Sequence, residues 1–214
     1  YTGMKRETDA IQRLQDPKSK VSSHYLIKKN GDLISLVPDL YEAWHAGVSS
    51  WKNYKSLNKN SIGIEIVNPG HQFGYKNFSK KQIGSLMNLI RILSQKYKIN
   101  KKNVLGHSDI SPDRKKDPGE KFPWKRLAKS KLSHWHNLDE KKIKKKRSIK
   151  LNFVEQINFM KNLKKIGYNS ISQKNLNFQK RTLTIAFQRR FRQGLINGIS
   201  DQECLIISEN LLKS

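Results

Sequence analysis

The stretch Gly106-His107-Ser108-Asp109-Ile110-Ser111-Pro112-Asp113-Arg114-Lys115-Lys116-Asp117-Pro118-Gly119 sets a histidine and an aspartate ten positions apart, with a lysine between them. An imidazole nitrogen and a carboxylate oxygen both suit Zn²⁺, and a catalytic zinc takes about three protein ligands plus a water whose pKa falls to roughly 7. His107 and Asp117 would supply two of those ligands. Pro112 and Pro118-Gly119 punctuate a tight loop, so the two side chains can converge despite their separation. A lone His and Asp more often belong to a polar surface loop, so the choice between the readings rests on the rest of the chain.

Several further motifs accompany this loop. They are Val21-Ser22-Ser23-His24-Tyr25-Leu26-Ile27, Ala43-Trp44-His45-Ala46-Gly47, Asn60-Ser61-Ile62-Gly63-Ile64-Glu65 and, behind the loop, Phe122-Pro123-Trp124. In this order and spacing, from Tyr1 to about Trp135, the chain resembles the zinc-dependent N-acetylmuramoyl-L-alanine amidases of the AmpD/AmiD type. These enzymes cut the bond between the lactyl group of muramic acid and the first alanine of the peptidoglycan stem. The segment after residue 148 is similar to the envelope-located AmiD branch. The resemblance implies an α/β fold, a mixed central sheet flanked by helices with zinc in a groove on one side, followed by a small all-α domain.

The same resemblance implies a ligand that the sequence does not contain. Family members open the catalytic domain with a strand ending in H-Y-T, whose histidine binds zinc, whereas this chain opens at Tyr1-Thr2. The third ligand is therefore expected just before Tyr1.

Composition sets broad bounds. A chain of 214 residues with 36% hydrophobic and 28% charged content holds one medium domain plus a small one. No run of about 18 apolar residues is present, so no membrane-spanning helix is expected. The net charge is +26, from 43 basic and 17 acidic residues. Residues 1–136 hold 26 basic and 11 acidic residues (+15), and residues 137–214 hold 17 and 6 (+11). Such charge attracts polyanions, but it is spread over both halves, and a compositional bias toward lysine explains it equally well. No nucleic-acid motif accompanies it, so no specific nucleic-acid partner is expected. The single cysteine, Cys204, has no disulfide partner and reads as a small buried hydrophobe.

Alternation over Val21 to Lys29, the Asn30-Gly31 turn and Leu33 to Val37 predict a β-hairpin. Ser61 to Val67 reads as a strand with Glu65 facing away from Ile64 and Ile66. Ser79 and Gln82 form a capping box for a helix with its apolar stripe at Ile83, Leu86, Met87, Ile90 and Leu93. Asn103-Val104-Leu105 reads as a short strand that delivers His107. Three domains or segments are expected: a catalytic domain at 1–136, a basic linker at 137–150, and a three-helix, peptidoglycan-binding-like domain at 151–214. The helical stripes there are Phe153, Ile157, Met160, Leu163 and Ile166; Leu183, Ala186, Phe187 and Phe191; and Cys204, Leu205, Ile207, Leu211 and Leu212. A chain ending near residue 136 is then expected to keep cleaving small muropeptides.

A carboxylate beside a metal-activated water can carry its proton, so Glu65 is the expected general base and acid; its motif matches the family's catalytic glutamate. Lys115 matches the family's catalytic lysine and would stabilise an oxyanion. Trp44 and His45 would line the substrate, and Arg114 would meet a substrate carboxylate. His24 reads as structural, His71 as loop, and the His134-Trp135-His136 pattern as surface. The expected activity is zinc-dependent hydrolysis of the muramoyl (or anhydromuramoyl)–L-alanine amide in wall turnover and recycling. The alternative is a non-catalytic peptidoglycan-recognition protein. The expected partners are muropeptides, with a membrane anchor upstream of Tyr1 and a monomeric state. The expected location is the periplasm or cell envelope, as an outer-membrane lipoprotein, with the cytoplasm as the alternative.

Overall fold

The computed structural model describes all residues, 1–214. In chain order the elements are α1 (Glu7–Gln15), β1 (Tyr25–Ile27), β2 (Leu33–Ser35), β3 (Ser50–Trp51), β4 (Tyr54–Lys55), β5 (Ile64–Ile66), α2 (Lys80–Lys96), α3 (His107–Ile110), α4 (Trp124–Lys129), α5 (Glu140–Lys144), α6 (Phe153–Ile166), α7 (Leu176–Phe191) and α8 (Gln202–Lys213). This is the mixed α/β architecture expected, with several helices at the C-terminal end. No helix is long and apolar enough to cross a membrane. Two compact units form, residues 1–49 with 56–103, and residues 50–55 with 104–214.

In the first unit, β1 pairs antiparallel with β2 and parallel with β5, giving a mixed sheet in the order β2-β1-β5. Asn30 and Gly31 make the hairpin turn, where the Asp32 N–H donates to the Asn30 side-chain oxygen at 3.0 Å. The capping box at Ser79 and Gln82 starts α2. Ile83, Leu86, Ile90 and Leu93 are buried as the periodicity predicts, joined by Leu89. The Gln82 amide donates to the Val67 carbonyl at 2.8 Å and the Ser85 hydroxyl to the Gly31 carbonyl at 2.6 Å, fixing α2 against β5 and the hairpin. Ahead of α1, Tyr1 to Gly3 runs beside β5, with the Thr2 N–H donating to the Ile66 carbonyl (3.1 Å) and the Gly3 N–H to that of Asn68 (3.0 Å).

In the second unit, α6 packs on α8 and α7 through Phe159, Leu163, Phe187, Ile207 and Leu211, all buried. The stripe expected on α6 is only half right. Phe153 and Ile157 in its first turns face solvent, while Phe159, one turn before Leu163, takes the buried place. Cys204 is buried, which pushes its thiol up to about 12. The expected linker at 137–150 is structured. It contains α5 with Ile143 buried, a bidentate Arg147–Glu203 pair, and a bridge between Lys150 and Asp201. His134 and His136 also depart from expectation, being 5% and 6% exposed. The His134 ring meets the Ser214 hydroxyl at 2.9 Å, and Trp135 packs on Phe191 and stacks on His136. The segment Leu132–His136 is thus core, because the C-terminal helices cover it. Asn103–Leu105 forms no strand: it leaves a 3₁₀ turn at Lys101–Asn103, and the Val104 carbonyl accepts from the Arg190 guanidinium at 3.0 Å instead of from a neighbouring strand.

Candidate active site

The first unit carries Glu65 at the middle of β5, on the face opposite Ile64 and Ile66. The register places Glu65 across from Leu26. One carboxylate oxygen, Oε2, is buried without a hydrogen-bond partner and lies 3.5 Å from the Tyr1 nitrogen.

The histidines of this unit are held differently. His24 Nδ1 accepts from the Gly63 N–H at 3.0 Å, so Nε2 carries the proton and donates to the Tyr41 carbonyl, also at 3.0 Å. With both nitrogens engaged and the side chain buried, His24 is structural, as expected, and presents no lone pair to a metal. His45 is half-buried; its Nε2 meets the Ser61 carbonyl at 3.3 Å and its ring lies against Gly63, where a Cβ would come within 2.3 Å of the imidazole Cγ. The glycine in Asn60-Ser61-Ile62-Gly63-Ile64-Glu65 therefore seats the His45 ring one residue from β5. Trp44 is 51% exposed on the same loop, anchored by its N–H to the Ser22 hydroxyl at 2.8 Å. His71 lies on an exposed loop and meets the Tyr1 hydroxyl at 2.6 Å.

The second unit carries His107, Asp117, Lys115 and Arg114. His107 opens α3, and its Nδ1 is 3.1 Å from Asp117 Oδ2, with both side chains largely covered. The backbone closes the same loop, since the Ser108 N–H donates to the Asp117 carbonyl at 2.8 Å. Gly106 makes the closure possible: a Cβ there would lie 2.5 Å from Pro118 Cδ. Lys115 is half-buried and its N–H donates to the Ser111 carbonyl at 2.9 Å, while Arg114 is exposed and donates to the Ser111 hydroxyl at 3.1 Å.

This donor pair suits a zinc ion. Two donors about 2.0 Å from a tetrahedral zinc stand roughly 3.3 Å apart, close to the 3.1 Å between Nδ1 and Oδ2. No group of three or more His, Cys, Asp or Glu side chains comes together as a metal site.

Two carboxylates of this loop escaped the sequence reading. Asp109 is 1% exposed, and accepts from the Gly106 N–H (2.8 Å), the Tyr168 hydroxyl (2.6 Å) and the Arg190 guanidinium (2.6 Å). Asp113 accepts from the Ile171 and Ser172 N–H groups (3.0 and 2.8 Å) and from the Thr182 hydroxyl (2.6 Å). Their partners stand about 60 to 80 positions away, beyond the reach of any local pattern.

Comparison with known proteins gives a consistent answer. The N-acetylmuramoyl-L-alanine amidase family pattern matches residues 1–120. The N-acetylmuramoyl-L-alanine amidase AmiD of Escherichia coli K12 is 35% identical over 206 residues, which cover 91% of this chain and 74% of AmiD. The structure of E. coli AmiD with anhydro-N-acetylmuramic acid-L-Ala-D-gamma-Glu-L-Lys superposes with a TM-score of 0.86 at 32% identity, covering all of this chain and 86% of that one. AmpDh3 from Pseudomonas aeruginosa in complex with anhydromuramic pentapeptide gives 0.85 at 29% identity, with coverage of 100% and 89%. With its loop pairing His107 with Asp117 and its strand presenting Glu65, this chain belongs to the N-acetylmuramoyl-L-alanine amidase family.

Proposed function

We propose that this amidase is a zinc enzyme that hydrolyses the amide between muramoyl or anhydromuramoyl residues and L-alanine in wall turnover and recycling. The observation that carries the reading is the His107–Asp117 pair, two zinc-type donors 3.1 Å apart and both largely covered. Bound there, zinc supplies a Lewis acid for the scissile carbonyl and lowers the pKa of a water. Glu65 takes the proton of the attacking water and returns it to the leaving alanine nitrogen. Lys115 stabilises the negative oxygen of the tetrahedral centre. Arg114 meets a stem-peptide carboxylate, and Trp44 and His45 form the wall against which the muropeptide lies. The third ligand is a histidine immediately before Tyr1. The hydrogen bonds of Thr2 and Gly3 to Ile66 and Asn68 support this, because they run the start of the chain beside the strand of Glu65. The C-terminal helices serve retention on peptidoglycan, and the cell envelope is the place of action.

The test uses an anhydromuramoyl peptide and the protein with its upstream histidine present. One zinc per chain and loss of stem-peptide release on chelation are expected, with recovery when zinc is restored. Glu65→Ala is expected to keep zinc while turnover drops about 10²-fold or more. Undiminished cleavage by verified metal-free protein would sink the zinc chemistry, and wild-type turnover in Glu65→Ala would reassign the base.

A further inference from the structure

We infer that Tyr168, Thr182 and Arg190 in the C-terminal helical region are positioning residues of the amidase site, holding the His107–Asp117 loop in shape through Asp109 and Asp113. The inference rests on His107 and Asp117 being zinc ligands.

His107 opens α3, a helix of only four residues. A helix that short has no stability of its own, because nucleation is unfavourable and it closes almost no internal hydrogen bonds. Its shape must come from outside. Asp109 reaches back to the Gly106 N–H, fixing the residue before His107, and its carboxylate is in turn fixed by Tyr168, just past α6, and by Arg190 in α7. Arg190 also donates to the Val104 carbonyl, and its guanidinium lies 4.1 Å from the centre of the Trp124 ring. That ring is among the nearest neighbours of Gly106, alongside Pro118. The chain entering His107 is therefore gripped on both sides by one arginine.

Asp113 does the same for the far side of the loop, two residues before Lys115 and four before Asp117. Its carboxylate caps the turn at Ser170–Ser172 through two N–H groups and takes the Thr182 hydroxyl of α7. Gln193 adds a third tie, donating to the Phe122 carbonyl at 2.8 Å. None of these partners carries chemistry needed by an amidase, and all converge on the segment that carries His107, Lys115 and Asp117. Groups behind metal ligands fix ligand orientation, and their loss typically costs about 10–100-fold in metal affinity or activity.

The experiment uses full-length Tyr168→Phe, Arg190→Lys and Thr182→Val, chosen because each removes a single donor or changes its geometry while leaving most of the packing in place. Three readouts are taken: zinc affinity by chelator competition, kcat and KM on an anhydromuramoyl peptide, and amide exchange in the metal-free proteins. Positioning predicts that zinc binds about tenfold more weakly in Tyr168→Phe and Arg190→Lys, that kcat falls while KM holds, and that the Ser108 and Ser111 amides exchange faster while those of α8 do not. A purely structural role predicts uniformly lower protection across the unit, with zinc affinity and kcat of the folded protein unchanged; that result overturns the inference. Should Arg190→Lys fail to fold, Thr182→Val, which loses one hydroxyl, decides by the same criteria. If the wild type binds no zinc, the ligand assignment fails, and the exchange of Ser108 and Ser111 in the metal-free proteins still tells whether the loop is held from the helices.

Discussion

Replacing Gly106 by alanine should disable the site through a single methyl group. The added Cβ would stand 2.5 Å from Pro118 Cδ, 3.2 Å from Trp124 Cζ2 and 3.4 Å from Pro118 Cγ. Ordinary carbon contacts begin at about 3.5 Å, so one neighbour must retreat by roughly 1 Å. Pro118 Cδ is bonded to its own backbone nitrogen, so its retreat drags the peptide that joins Asp117. That residue holds the loop twice, through its carbonyl to the Ser108 N–H and through Oδ2 to His107. Overpacking of this kind costs about 1–3 kcal/mol. Spent on displacing one ligand, 1–3 kcal/mol amounts to roughly 5- to 150-fold in zinc affinity at 1.4 kcal/mol per decade. A reacting group moved by about 1 Å loses on the order of 10²-fold in rate. Chelator competition and muropeptide turnover, measured on protein with wild-type far-ultraviolet dichroism, test this. Wild-type zinc affinity and turnover in Gly106→Ala would refute the claim that the close packing of Gly106 on Pro118 sets the ligand geometry.

Gly84 supplies the contrast: it lies within α2 with no atom within 4 Å of an added Cβ, so Gly84→Ala should raise stability by about 1 kcal/mol in urea titration and leave turnover unchanged. A chain ending at residue 136 should lose solubility or zinc rather than keep cleaving muropeptides, because it strips Tyr168 and Arg190 from a buried Asp109, and removing one partner of such a pair alone costs about 3–5 kcal/mol; recovery of soluble, fully active truncated protein would reverse this. His136 is lowered by burial, more than Glu140 and Glu203 raise it. Below its ordinary value of about 6.5 the unfolded chain takes up a proton that the native imidazole resists, so stability should fall from pH 7.5 to 5.5 and level off beneath the native value. Urea midpoints at the two pH values should differ less in His136→Gln than in the wild type, and equal differences would remove His136 from the account.

The local half of this architecture was legible in the sequence. Asn30-Gly31, the Ser79 capping box, the Ile83–Leu93 stripe and the Glu65 strand each depend on neighbours within a few residues, and each appears where its pattern places it. The convergence of His107 and Asp117 was legible for the same reason, since the loop that joins them closes on itself. What periodicity missed depends on distant partners. His134 and His136 look like surface residues until α7 and α8 cover them, and Asn103–Leu105 looks like a strand until Arg190 takes the Val104 carbonyl. The polar network at Asp109 and Asp113 likewise depends on Arg190 and Thr182, 81 and 69 positions away. Phe153 and Ile157 repeat at helical spacing with Leu163, but spacing does not reveal where a partner helix stops.

The short β3–β4 hairpin has a consequence for how the chain is made. Residues 50–55 belong to the second unit, where the Lys52 N–H donates to the Gly167 carbonyl and the Asn169 side chain donates to the Lys52 carbonyl across 117 positions. Trp51 packs on Tyr168 with ring centres 5.1 Å apart. At about 5–20 residues per second, a ribosome takes roughly 6 to 23 s to bring Asn169 into existence after Lys52. Throughout that interval the indole of Trp51 has no seat, and the first-made half of the polypeptide carries a piece of the last-made half. Closure of this seam therefore waits on residues 167–169, long after the hairpin itself has been made.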